Sequence, residues 1–155
     1  MNAWKITAAT TAFPVLACAA SISFAAAAHA DPAENLRITD DVRAQLIQAG
    51  AVLTGRPASE FIGMRAGRTY YAYDPNTDTY WAAGALVADP NAFQAGVNLQ
   101  DQNSYMLFKK SSDGTWIPYA DGYGGMQGQS CPIQMPPAVL SVWSWPAGSC
   151  YPPPN

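Results

Sequence analysis

Tyr70-Tyr71-Ala72-Tyr73, Asp74-Pro75-Asn76-Thr77-Asp78 and Thr79-Tyr80-Trp81-Ala82-Ala83, running on apolar to Val87, are the residues from which the architecture of this chain is read. Two aromatic runs flank a cluster of turn formers, the pattern of a β-hairpin. Pro75 presets φ, while Asp74 and Asn76 can hydrogen-bond the local backbone, so the bend has a cause in each residue. The hairpin therefore spans strands Arg68–Asp74 and Asp78–Ala88.

Outward from the hairpin, Asp89-Pro90-Asn91 turns. Phe93, Ala95, Val97 and Leu99 then alternate with Gln94, Gly96, Asn98 and Gln100, which reads as a half-buried strand. Asp101-Gln102-Asn103 turns into a strand at Ser104–Lys110. Asp113-Gly114 is a hairpin signal, and Thr115–Tyr119 follows, with Pro118 marking an edge strand because it cannot donate to a ladder. Five strands with connections this short predict an antiparallel meander.

Upstream, Thr39-Asp40-Asp41 reads as a helix start: a hydroxyl cap, then two carboxylates at the positive end of the dipole. Val42, Leu46, Ala49 and Leu53 form one apolar stripe, with Arg43, Gln45 and Gln48 facing away. Gly50 and Gly55 offer stops, and Pro57 ends any continuation. A second helical turn is expected at Ala58–Ile62, and a mobile polar lead at Asp31–Ile38. A helix with one stripe to bury and a sheet with one face to bury predict a two-layer α+β domain. Downstream, Asp121–Gln129 is a glycine-rich loop. Pro136-Pro137 precedes a short helix over Ala138–Trp145, and Tyr151–Asn155 is a Pro-rich tail with no predicted packing.

The first thirty of the 155 residues read as a signal peptide, leaving one domain at 31–155. Lys5 forms a short charged n-region, Ile6 to Ala28 is apolar, and Ala28-His29-Ala30 is an A-x-A cleavage site. Val15-Leu16-Ala17-Cys18 also has lipobox character, but the apolar region runs on past Cys18, which a lipobox would not do. Cleavage after Ala30 implies a secreted or cell-envelope location. It leaves 7 of the 8 basic groups against all 11 acidic ones, a net charge of −4. That balance argues against nucleic acid, which needs clustered Lys and Arg, and against an anionic membrane surface once the signal is gone. Cys131 and Cys150 remain and are most simply one disulfide in an exported chain.

The chemistry left open is narrow. His29, the one histidine, leaves with the signal, so a Ser-His-Asp triad, a Cys-His pair and a His-ligated zinc are closed to the mature chain. A Ser-Lys dyad would need Lys109 or Lys110, which sit at a strand end. A carboxylate pair could support glycoside hydrolysis, but Asp40, Asp41, Asp74, Asp78, Asp89, Asp101, Asp113 and Asp121 each have a turn or a helix start to explain them. Asp74-x-Asn76-x-Asp78 matches positions 1, 3 and 5 of a calcium loop; Thr79 at position 6 and Ala85 at position 12 then break the match, and a hairpin turn explains the same residues. No cofactor is implied.

The aromatic content is the anomaly. Residues 31–155 hold 8 Tyr, 4 Trp and 3 Phe, and both faces of the hairpin carry rings. An aromatic patch left exposed would mark a binding surface, with Tyr70, Tyr73, Tyr80, Trp81 and Trp116 as candidate residues and a protein or a cell-envelope glycan as partner. The alternative is that Leu140, Trp143 and Trp145 cover one face as a second small core. The expected function is thus a non-catalytic secreted binding domain, set against a carboxylate-pair hydrolase acting on glycans or a purely structural envelope protein.

Ala28-His29-Ala30-Asp31-Pro32, the Tyr70–Trp81 hairpin and the Cys131-to-Cys150 tail with Pro136-Pro137-Ala138-Val139-Leu140 together resemble the small exported proteins of mycobacteria and other actinobacteria. The resemblance implies export and carries no catalytic motif. The order of helices followed by a meander is also similar to the β-lactamase-inhibitor-like fold, which implies protein binding through the sheet face. The fifth strand and the stapled tail depart from that fold.

Overall fold

The computed structural model describes residues 30–101, 105–120 and 131–154. The signal segment, Cys18 and the glycine-rich loop lie outside the described residues. The elements are β1 (Glu34–Asn35), α1 (Asp40–Thr54), a 3-10 turn (Ala58–Glu60), β2 (Phe61–Met64), β3 (Tyr70–Asp74), β4 (Thr79–Ala88), α2 (Phe93–Asp101), β5 (Tyr105–Ser111), β6 (Ile117–Tyr119) and α3 (Pro137–Val142). The architecture is α+β, with an antiparallel sheet in the order β1-β3-β4-β5-β6 and β2 pairing with β4. The hairpin is its centre. β4 pairs with β3 from Asp74↔Thr79 to Tyr70↔Ala83, with β5 from Thr79↔Ser111 to Ala85↔Tyr105, and its end pairs with β2.

The sheet is covered on both faces. On one, α1 and α2 bury Leu46, Ala51, Ala95 and Leu99 against Phe61, Met64, Ala82, Leu86, Met106, Phe108 and Trp116. On the other, the C-terminal segment buries Met135, Val139, Leu140, Trp143 and Trp145 against Ala72, Trp81, Ala83 and Leu107. This is the second core that the sequence offered as an alternative. It explains why β4 is apolar almost throughout rather than alternating: a strand buried on both sides has no polar face to show.

α1 starts where expected. Thr39 Oγ1 accepts from the Val42 N–H at 3.2 Å, and Asp40 and Asp41 lie in the first turn. It runs through Gly50 and ends at Gly55, whose φ of 67° is the left-handed conformation glycine adopts at no steric cost. The buried line is Leu46, Gly50, Ala51 and Thr54 rather than the predicted stripe, and Leu53 is exposed. Gly50 accounts for the rotation: a Cβ there would stand 2.8 Å from Leu86 Cδ1 and 3.1 Å from Met106 Sδ, so its absence lets the helix approach the sheet.

The clearest correction is Phe93–Gln100, read as a strand and found as α2. Strict alternation also places apolar residues at i and i+4, so Ala95 and Leu99 satisfy a helix as well as a strand, and only Val97 is β-branched. The Asp89 turn leads into the helix: Asp89 Oδ1 accepts from the Asn91 N–H at 2.7 Å, and the Ala92 N–H bonds to the Asp89 carbonyl. Phe93 is then left 75% exposed.

Three further segments differ. The helical turn expected at Ala58–Ile62 stops at Glu60, and Phe61–Met64 pairs with the end of β4; the register shifts between Phe61 and Gly63, leaving Ile62 exposed at the irregularity. The polar lead forms β1 against β3, with Ala33 buried in the second core. Asn76 holds this lead from the hairpin turn, Oδ1 accepting from the Asp31 N–H at 3.0 Å and Nδ2 donating to the Asp31 carbonyl at 2.6 Å. The Pro-rich tail is packed as well: Tyr151 lies against Tyr105, and Arg68 Nη2 donates to the Pro153 carbonyl.

α3 ends at Val142, short of Trp145, because Ser144 turns left-handed with φ 57°. Residues two apart on a helix diverge by about 200°, which would send one tryptophan outward. The turn lets Trp143 and Trp145 both enter the core, with centroids 5.1 Å apart. Cys131 and Cys150 are disulfide-bonded, with Cα atoms 5.5 Å apart. Among the described residues, no helix is long and apolar enough to cross a membrane.

Candidate binding surface

Strand parity decides which rings can meet a ligand. Tyr70 and Trp81 lie on the C-terminal-segment face. Tyr70 packs on Trp143 and Trp145 at 5.6 and 5.0 Å, and Trp81 is 3% exposed beneath the same segment. Enclosed there, Trp81 has no free ring surface. Tyr73 and Tyr80 are direct cross-strand partners on the α1 face, 4.8 Å apart. The five sequence candidates are thus divided between opposite sides of the sheet.

On the α1 face the rings form a continuous strip. Tyr73 meets Tyr80, Tyr80 stacks on Tyr71 at 5.9 Å, and Tyr71 and Trp116 meet in a T-shaped contact at 6.0 Å. Tyr71, which the candidate set lacked, is the link, and its two-residue spacing from Tyr73 was the available signal. α1 packs chiefly over β2 and β6, so the hairpin end stays uncapped and Tyr71, Tyr73 and Tyr80 are half-exposed. Trp116 is 8% exposed and forms the inner wall. The Lys110 ammonium sits 5.0 Å from the Tyr80 ring and 5.1 Å from Trp116, a cation–π contact with both.

Beside Trp116 the strip opens into a cleft of about 400 Å³ between α1 and the β5–β6 turn. Gln45, Gln48, Ala49 and Val52 form one wall, Thr115 and Trp116 the other. Gln45 is held in place: Oε1 accepts from Trp116 Nε1–H at 3.1 Å, and Nε2 donates to Asp41 Oδ2 at 2.8 Å. Sequence reasoning placed Gln45 and Gln48 on the outer side of α1 and had no signal that the β5–β6 turn would stand opposite them.

The calcium-like triplet is used inside the hairpin turn. Asp74 is buried; burial opposes its ionisation, but hydrogen bonds from the Asn76 side chain, the Thr77 hydroxyl and the Asn76 backbone N–H outweigh it and hold the carboxyl below its ordinary value. Asp78 accepts from the Ser112 hydroxyl at 2.5 Å and from the Tyr73 hydroxyl at 2.8 Å, which lowers its pKa despite an opposing desolvation. The same bond raises the Tyr73 phenol, since ionising it would lose the donated proton beside a carboxylate. Among the described residues no cluster of acids, Cys or His is arranged to hold a metal. The Gln45 cleft has no carboxylate in its walls, and a second cleft of about 420 Å³ beside α2 has only Asp89.

Compared with known proteins, the chain gives no significant match to a family model, a curated protein or a solved structure.

Proposed function

We propose that this is an exported, non-catalytic binding domain that recognises a cell-envelope component through the ring strip Tyr73–Tyr80–Tyr71–Trp116. One observation carries the reading: one face of the hairpin is sealed by the C-terminal segment, while the hairpin end of the other keeps half-exposed rings in continuous contact. Three half-exposed rings on the paired strands β3 and β4, backed by the buried Trp116, supply contact area at low entropic cost, as binding surfaces do. Export is supported by the Ala28-His29-Ala30 site and by the disulfide, which persists in oxidising compartments.

Retention on envelope material tests the reading. The full-length gene is expressed in an exporting host, and the secreted protein is passed over insoluble envelope polysaccharide and over solubilised envelope proteins. The wild type is retained, and a Tyr73→Ser, Tyr80→Ser double variant that melts cooperatively is not. Equal retention of both, or of neither, contradicts the assignment.

A further inference from the structure

We infer that the Gln45–Trp116 cleft takes an uncharged sugar, the terminal mono- or disaccharide unit of a neutral glycan. The inference rests on the proposed function in treating the strip as the approach to the cleft, and it adds a ligand class and a subsite.

The lining selects the class. A volume of about 400 Å³ falls in the range of small-molecule sites, roughly 300–1,000 Å³. At the roughly 30 Å³ that a water occupies in the liquid, it holds on the order of a dozen waters for a ligand to displace. No wall residue is ionisable, and the nearby charges are engaged, Lys110 on the Tyr80 and Trp116 rings and Asp41 on Gln45, so an anionic or cationic ligand would lose hydration for little counter-charge. The polar groups are two glutamine amides and the Thr115 hydroxyl, each able to donate and accept, which is what sugar hydroxyls require. Ala49, Val52 and the Trp116 indole supply the apolar side on which C–H faces of a sugar ring can rest.

The geometry is also prepared. Gln45 keeps one N–H and one lone pair free after bonding Trp116 and Asp41, and those two bonds fix which way the free ones point. An extended peptide fits the neighbouring edge poorly. β6 is three residues long and contains Pro118, which has no N–H to offer an added strand.

The test is side-chain NMR on the ¹⁵N-labelled, disulfide-bonded secreted protein. Chitotriose, cellotriose and maltotriose are the probes at millimolar concentration, with glucuronic acid as the charged control. A neutral probe shifts the Gln45 and Gln48 Nε2 resonances and Trp116 Nε1–H. Gln48→Ala and Thr115→Val each weaken binding by on the order of tenfold, the loss of one hydrogen bond. Absence of shifts at these groups with every neutral probe, or shifts with glucuronic acid alone, overturns the inference. If the probes shift nothing while envelope retention still depends on Tyr73 and Tyr80, the sugar subsite fails and the binding domain stands. If the probes bind but retention does not depend on the strip, the subsite stands and the proposed function fails.

Discussion

Trp116 Nε1 donates to Gln45 Oε1 at 3.1 Å across 71 positions of sequence, joining the β6 side of the sheet to α1. Trp81, Trp143 and Trp145 bury their indole N–H groups with no acceptor among the described residues. The four tryptophans of residues 31–155 therefore differ in kind, and phenylalanine substitutions should separate them. Trp116→Phe should cost about 1 kcal/mol more than Trp143→Phe in urea denaturation, because only the first loses a hydrogen bond. A Gln45→Ala, Trp116→Phe cycle should show a coupling of roughly 0.5–1.5 kcal/mol.

The C-terminal segment covers the second core and is closed on itself by Cys131–Cys150, a separation of 19 residues. On the chain-entropy account a loop of that size contributes about 3 kcal/mol. Cys131→Ser with Cys150→Ser should lower the unfolding free energy read from urea denaturation by that much. It should also raise Trp fluorescence quenching by acrylamide, as Trp143 and Trp145 open before Trp116.

Two helical glycines should respond in opposite directions. Gly50 faces Leu86 and Met106 at distances a side chain cannot share, so Gly50→Val should destabilise by about 1–3 kcal/mol. Gly96 on α2 has open space around it, so Gly96→Ala should stabilise by about 0.5–1 kcal/mol through helix propensity alone. Thermal melts of the pair give the comparison.

Asp74 and Asp78 are both held below their ordinary carboxyl value of 3.8. A depressed folded-state pKa contributes stability that is complete above the unfolded value and is lost as the pH falls through the folded one. The melting temperature should therefore hold level on this account from neutral pH down toward 3.8 and decline below it. Asp74→Asn should start lower and flatten that decline.

The hairpin, the capped start of α1, the edge position of β6 and the disulfide were all legible in the sequence, because each rests on local chemistry: turn residues, a hydroxyl cap, a proline, two cysteines. α2 was not, since alternation over Phe93–Gln100 satisfies both periods and only the direct antiparallel pairing of β4 with β5 leaves the segment outside the sheet. The candidate rings mixed two faces because Tyr70 and Tyr73 differ by an odd number of positions, as do Tyr80 and Trp81. Which face stays open depends on where α1 and the C-terminal segment settle, a long-range outcome that no local pattern carries.

Hydroxyl-radical footprinting with and without insoluble envelope polysaccharide tests the recognition surface most directly. The account predicts that Tyr71, Tyr73 and Tyr80 oxidise faster than Trp81 in the free protein and are the rings protected when envelope material is added. Rapid oxidation of Trp81 in the free protein, or protection that leaves Tyr73 and Tyr80 unchanged, would contradict it.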